Sequence, residues 1–288
     1  SKKENELLRY RQELMNANEA IEKLIGQVSR EVKIASQIQR LMSPTQIPSI
    51  QGVDISTKFV PGSRWGGDYF DIFEHSDKLK FGILLSCSSG HAMSALFLSV
   101  LLKMTSQLEA RKGISPDQLV EKLTQELLPQ MGDKDRTHFF YGVIDRRSYE
   151  LSFTLLGQIF GLILEADGKT LHQLDSFLAE GLTTDLTSKL ETAPIPCMKV
   201  LLNPKDRLIL CSEGLLNAQN PAGLVWGKKG LQDALLNISR GNAPLGVHEI
   251  RNDILFRCEQ HMGKQIPDKD QTVLIIEAKE NVLKLAPV

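Results

Sequence analysis

No stretch of this 288-residue chain approaches the roughly 20 apolar residues that a membrane-crossing helix needs. Excess charge is missing as well. The formal net charge is −1, and no basic stripe interleaved with aromatic residues runs along the chain. A nucleic-acid partner therefore has no electrostatic footprint here. Cysteine is scarce: Cys87, Cys197, Cys211 and Cys258 lie far apart, with no Cys-x-x-Cys pair. That excludes a disulfide scaffold, argues against a structural zinc site, and implies reduced thiols in a cytoplasmic protein. A secretory leader is also lacking, because the start is charged and polar. The chain begins at Ser1 rather than Met, so a longer parent with an upstream sensor domain is expected. The remaining composition, 42% apolar and 24% charged, is that of an ordinary globular protein.

What is present first is a heptad. Leu7, Leu14, Ile21, Val28, Ala35 and Met42 recur every seven residues, and Tyr10, Ala17, Leu24 and Ile38 fill the offset of three, with Glu31 as the exception. The pattern predicts one helix over residues 4 to 42 whose seam suits a parallel two-helix coiled coil and hence a homodimer. Ile25, Val32 and Ile34 widen the apolar face toward the end, as in a helix that turns from partner to domain. Ser43-Pro44 stops it. Two domains follow from this: 1–43 as the helical linker and 44–288 as the globular part.

Beyond Pro44 the periodicity alternates. Strands are expected within Ser49 to Pro61, at Asp68 to Phe73, Lys80 to Leu85, His138 to Ile144, Glu150 to Leu155, Ile159 to Glu165, Met198 to Leu202, Arg207 to Cys211 and Val273 to Glu277. Helices are expected at Ala92 to Ala110, at Ser115 to Leu128 behind a Ser-Pro-Asp start, at Leu231 to Ile238 and at His248 to Met262. Residues 175 to 195 carry no period. Many strands with helices in blocks indicate an α+β layered domain.

The most informative stretch is Gly66-Gly67-Asp68-Tyr69-Phe70-Asp71, followed after a hairpin by Cys87-Ser88-Ser89-Gly90-His91-Ala92. These strings resemble the Gly-Gly-Asp-Tyr-Tyr-Asp and Asp-Val-Ser-Gly-His-Gly signatures of the SpoIIE/RsbU group of PPM-type serine/threonine phosphatases. Asp206 to Gly214 and Asp268 to Ile276 are similar to two further signatures of that group, and the order covers roughly residues 35 to 278. The resemblance implies an α-β-β-α sandwich: two antiparallel sheets flanked by helices. It also implies two Mn²⁺ or Mg²⁺ ions and a bridging water that attacks phosphoserine or phosphothreonine.

The family's four core carboxylates fall on Asp68, Cys87, Glu213 and Lys269. Counting Asp68 and Glu213 as −1, Cys87 as 0 and Lys269 as +1, the set sums to −1 instead of −4. An ammonium inside a two-metal site repels the cations, so Lys269 is expected to take over the metal's charge role by pairing with Asp68 or Glu213. Asp68, Glu213 and Asp270 are the candidate ligands for any ion that binds weakly. Asp268 and Asp270 would point away from Lys269 if the stretch were a strand. Cys87 is no thiol-phosphatase nucleophile: Met93 stands where that loop requires Arg. Arg64, Trp65 and His91 are candidates for contacting a phosphate or a partner, and structural roles are expected for His138 and Gln158. The reading is a pseudophosphatase that binds a regulatory protein, by resemblance an anti-sigma-factor-antagonist-like phosphoprotein. An active phosphatase with an altered Mn/Mg site and a purely structural dimeric relay are the alternatives.

Overall fold

The computed structural model describes residues 2–42, 46–63, 67–89, 112–186, 193–238 and 245–279. It divides into two compact units, Ser1–Leu41 and Met42–Val288.

The first unit is one helix, α1 (Lys2–Met42). Side chains four apart pair along it, Arg9 with Glu13 and Gln12 with Asn16, as helical spacing permits. Glu31, the polar residue in the seam, accepts from Gln27 Nε2 at 3.0 Å and so is satisfied within its own helix. Leu7, Leu14, Ile21, Leu24 and Val28 are all exposed.

The second unit holds two five-stranded antiparallel sheets. The first has the order β1-β10-β9-β6-β7, with β1 (Val53–Val60), β6 (Phe160–Leu164), β7 (Leu171–Gln173), β9 (Arg207–Cys211) and β10 (Gln271–Ala278). The second has the order β2-β3-β4-β5-β8, with β2 (Gly67–Glu74), β3 (Lys80–Ser89), β4 (Arg136–Asp145), β5 (Glu150–Leu156) and β8 (Met198–Leu201). The described α-helices of this unit are α2 (Pro116–Leu127), α3 (Glu213–Leu216), α4 (Gly227–Ile238) and α5 (Val247–Met262), with short 3-10 turns at Leu128–Gln130 and Thr184–Leu186.

Burial explains why the strand sequences read as nearly continuous apolar runs. In β10, Leu274, Ile276 and Ala278 face the core between the sheets, while Val273 and Ile275 pack outward beneath α4 and α5. In the other sheet, Phe70, Leu85 and Phe140 fill the inner core, and Tyr69, Leu84 and Tyr141 face α2. Both faces of each sheet are covered, so strict alternation is lost. The layering is the expected α-β-β-α sandwich.

Details of the elements differ from the sequence reading. Strand β7 is only three residues long, too short to show a period. Helix α4 starts at Gly227, four residues ahead of its apolar face. Of the segment with no period, residues 177–182 lie as a strap along the second sheet. Leu182 exchanges two backbone hydrogen bonds with Thr137, and Phe177 donates to the Leu155 carbonyl at 2.7 Å. Isolated bridges of this kind leave no repeating signature. The expected helix at Ala92 to Ala110 lies outside the described residues.

Candidate functional site

Strand register assembles the site. Asp68 of β2 lies opposite Cys87 of β3, and Cys87 lies opposite His138 of β4. Paired residues share a sheet face. The next inward row is Phe70, Leu85 and Phe140, which belongs to the core between the sheets, so the polar row closes one end of that core.

Thr272 reaches across from the facing sheet. It sits two residues before inward-facing Leu274, and its Oγ1 donates to Asp68 Oδ2 at 2.9 Å. Burial, and after it the charge of Asp270, pushes the Asp68 carboxyl up to about 8, against hydrogen bonds from Ser212, Thr272 and Cys87 that favour the anion. Burial and the Asp270 charge both favour the protonated carboxyl as long as no cation lies beside it. Burial and the neighbouring Asp68 hold the Cys87 thiol well above its ordinary value.

Glu213 opens α3 directly after Ser212. The Ser212 Oγ accepts the Thr272 N–H at 2.9 Å, which ties this turn to the start of β10. Gly214 permits a close approach: a Cβ there would lie 2.0 Å from the Asp270 carbonyl oxygen. The approach brings Lys269 over the helix start. Its Nζ donates to Glu213 Oε1 at 2.9 Å, and Asn217 Nδ2 donates to the same oxygen at 3.1 Å. His138 Nε2 faces the other oxygen, Oε2, at a longer 3.5 Å. Burial alone would raise the Glu213 carboxyl; the hydrogen bonds from His138 and Lys269, with the charge of Lys269, outweigh it and bring the group down to about 2.

His138 is fully buried, and its Nδ1 accepts the Gln158 backbone N–H at 3.1 Å. The ring proton is thereby assigned to Nε2, on the side of Glu213. Gly157 makes room for the ring: its φ is +86°, and a Cβ there would lie 2.1 Å from Nδ1.

The structure thus gathers Asp68, Cys87, Glu213, Lys269 and Asp270 at one end of the sandwich, and Lys269 pairs with Glu213 as the charge argument expects. Three points correct the sequence reading. Asp68, counted as −1 from its residue type, is buried beside Asp270, and both press its carboxyl upward, a setting that no local pattern shows. Lys269 and Asp270 precede β10, which begins at Gln271, so strand alternation does not separate them. Asp270 Oδ1 accepts the Gly62 N–H at 2.9 Å, and Asp270 acts directly on Asp68. His138, read as structural, belongs to the site. Seven residues along both strands from the Lys80–Asp145 pair lie Cys87 and His138; no hairpin sets that register in the sequence, because residues 90–135 separate β3 from β4. Arg64, Trp65 and His91 lie outside the described residues. Among the described residues, no three His, Cys, Asp or Glu side chains converge as a metal-ligand set.

A family model described as Stage II sporulation protein E (SpoIIE) matches residues 78–279. The phosphoserine phosphatase RsbU of Bacillus subtilis (strain 168) is 20% identical over 199 residues, covering 69% of this chain. This chain spans 57% of that relative's length. Among solved structures, the SiaA-PP2C domain of Pseudomonas aeruginosa superposes with a TM-score of 0.67 at 20% identity, over 88% of this chain and 97% of that one. The RsbU and RsbW domains of Rv1364c from Mycobacterium tuberculosis superpose with a TM-score of 0.65 at 16% identity, over 82% of this chain and 63% of that one.

Proposed function

The chain belongs to the SpoIIE family of PP2C-type signalling phosphatase domains, and from that premise we propose that it is a pseudophosphatase, which binds a regulatory protein partner and does not hydrolyse phosphate. Phosphatases of this family depend on Mn²⁺ or Mg²⁺. The donor set here does not fit a pair of such ions. The observation that carries the reading is the Lys269 ammonium, 2.9 Å from Glu213 Oε1, where the family needs a cation-binding carboxylate. With a thiol at Cys87 and an ammonium at Lys269 already paired to Glu213, two of the four positions bring no carboxylate and one of the remaining two is engaged. A divalent ion entering roughly 4 Å from that ammonium meets a repulsion of about 4 kcal/mol per unit of its charge at an effective dielectric near 20. Asp68, Glu213 and Asp270 are at most a weak site for one ion.

The partner class follows from the family: a serine-phosphorylated regulator of the anti-sigma-factor-antagonist kind. The unbroken helix α1, with its exposed heptad face, supports a second element of the proposal. Two copies join through parallel N-terminal helices, and an upstream signal reaches the phosphatase-like domain through that seam. The test is hydrolysis of a phosphoserine peptide and of p-nitrophenyl phosphate in excess Mn²⁺. The expected result is no turnover. Turnover that rises with Mn²⁺ and disappears in Asp68→Ala would establish the competing reading, an active phosphatase with an altered metal site.

A further inference from the structure

A cavity of about 320 Å³ opens where the loop into β6, the end of β7, the end of α3 and the start of α4 meet. Its floor is apolar. Ile159, Phe160, Leu174 and Leu216 line it and are only 3%, 2%, 6% and 7% exposed. A charge stands over that floor. Lys228 also lines the cavity, and its Nζ lies 5.5 Å from the centroid of the Phe160 ring. The ring face attracts the ammonium, but it supplies none of the oxygen acceptors that three N–H groups can take. Among the described residues no carboxylate pairs with Lys228, and none lines the cavity. The cavity also adjoins the degenerate site. Asn217 and Gln158 both line it. Asn217 Nδ2 donates to Glu213 Oε1, and the Gln158 N–H donates to His138 Nδ1.

Pockets for small molecules combine apolar walls with a few placed polar groups, at volumes from about 300 Å³ upward. This cavity has that composition and lies at the small end of that range. Its walls define the occupant. Four buried apolar side chains favour a compact apolar body, because covering them removes apolar surface from water on both sides. The ammonium without a carboxylate favours an anion, through a charge-assisted hydrogen bond. One cation balances one negative charge, and Lys228 is the one cation among the described lining residues. A phosphate monoester brings about −1.5 to −2, whereas a carboxylate brings one charge. We propose that the cavity binds a small organic monoanion, a carboxylate on a compact aromatic or aliphatic body, with the carboxylate on Lys228 and the body against Phe160 and Leu174. The proposal goes beyond the partner-binding reading and holds whether or not the chain hydrolyses phosphate. Its occupant would touch Asn217 and Gln158, the residues that bond Glu213 and His138 from this side.

Phenylacetate is the probe, titrated into the full chain and followed by saturation-transfer NMR. The expected result is saturable binding with a dissociation constant on the order of 1 mM or tighter, the range open to about ten non-hydrogen atoms. Acetate, which has the charge without the body, and 2-phenylethanol, which has the body without the charge, should each bind roughly tenfold more weakly or not at all. Phenyl phosphate should bind no more tightly than phenylacetate. Lys228→Gln should weaken phenylacetate roughly tenfold and leave 2-phenylethanol unchanged. Ala179→Phe places a ring in the lining and should abolish binding of both. Lys229→Gln, one residue further along α4 and outside the lining, should change nothing, which separates the cavity from the diffuse charge of the helix start. All three positions are exposed, so the fold should survive, and an unchanged melting temperature would verify it. No saturable binding, equal affinity for 2-phenylethanol, or tighter binding of phenyl phosphate would overturn the proposal. So would equal losses in Lys228→Gln and Lys229→Gln, or phenylacetate binding that survives Ala179→Phe.

Discussion

Replacing Lys269 with Met removes one charge and leaves most of the side-chain volume. In the folded chain the Glu213 carboxyl is brought from 4.5 down to about 2. A shift of that size corresponds to about 3 kcal/mol favouring the folded anion. Two groups share it, Lys269 and His138, and the Lys269 side chain is 39% exposed. Discounted for solvent, its share is about 1–1.5 kcal/mol. The sign is fixed by the direction of the shift. A lowered carboxylate contributes stability that is fully present above 4.5 and is lost as pH falls toward 2. Lys269→Met should therefore destabilise the chain by about 1–1.5 kcal/mol at pH 7 and by close to nothing near pH 2. Urea unfolding at a series of pH values measures both. An equal loss at every pH would mean that Lys269 acts through packing, and no loss at pH 7 would mean that the pair carries no stability; either result refutes the electrostatic argument.

Asp68 carries the opposite sign. Its folded carboxyl lies at about 8, above the ordinary 3.8, so its contribution is full at low pH and is lost as pH rises through that window. Asp68→Asn should flatten the pH dependence of stability between those limits by roughly 1 kcal/mol per pH unit and leave the variant more stable than the parent above pH 8; urea unfolding again reads it. Gly157→Ala combines a φ of +86° with a Cβ placed 2.1 Å from His138 Nδ1; the expected cost is about 2–4 kcal/mol, or a fall in melting temperature of roughly 5–15 °C by calorimetry. Leu14→Lys with Ile21→Lys places charges in the heptad seam and should convert a dimer to a monomer in light scattering; a parent that is already monomeric would remove the coiled coil from the account.

Much of the sandwich was legible because its strands are apolar on both faces and its turns are marked, as at Asp77 and Asp167. The short elements were not: β7 and the bridges at Phe177 and Leu182 depend on neighbours distant in sequence. In the site, the Lys269–Glu213 pair could be anticipated from charge alone, because an ammonium among carboxylates must find one of them. The upward pressure on the Asp68 carboxyl could not. It comes from burial between two sheets beside Asp270, and no local pattern encodes that burial. Nor could the place of His138: a lone histidine in an apolar strand gives no sign of which residue it faces, and no hairpin ties β4 to β3.

If Lys269 has taken the place of the metal ions, calorimetric titration of the parent chain with Mn²⁺ at neutral pH should show no binding, or one ion held weakly. Two Mn²⁺ ions bound tightly per chain would contradict it, because two dications cannot share the site with the Glu213–Lys269 pair intact.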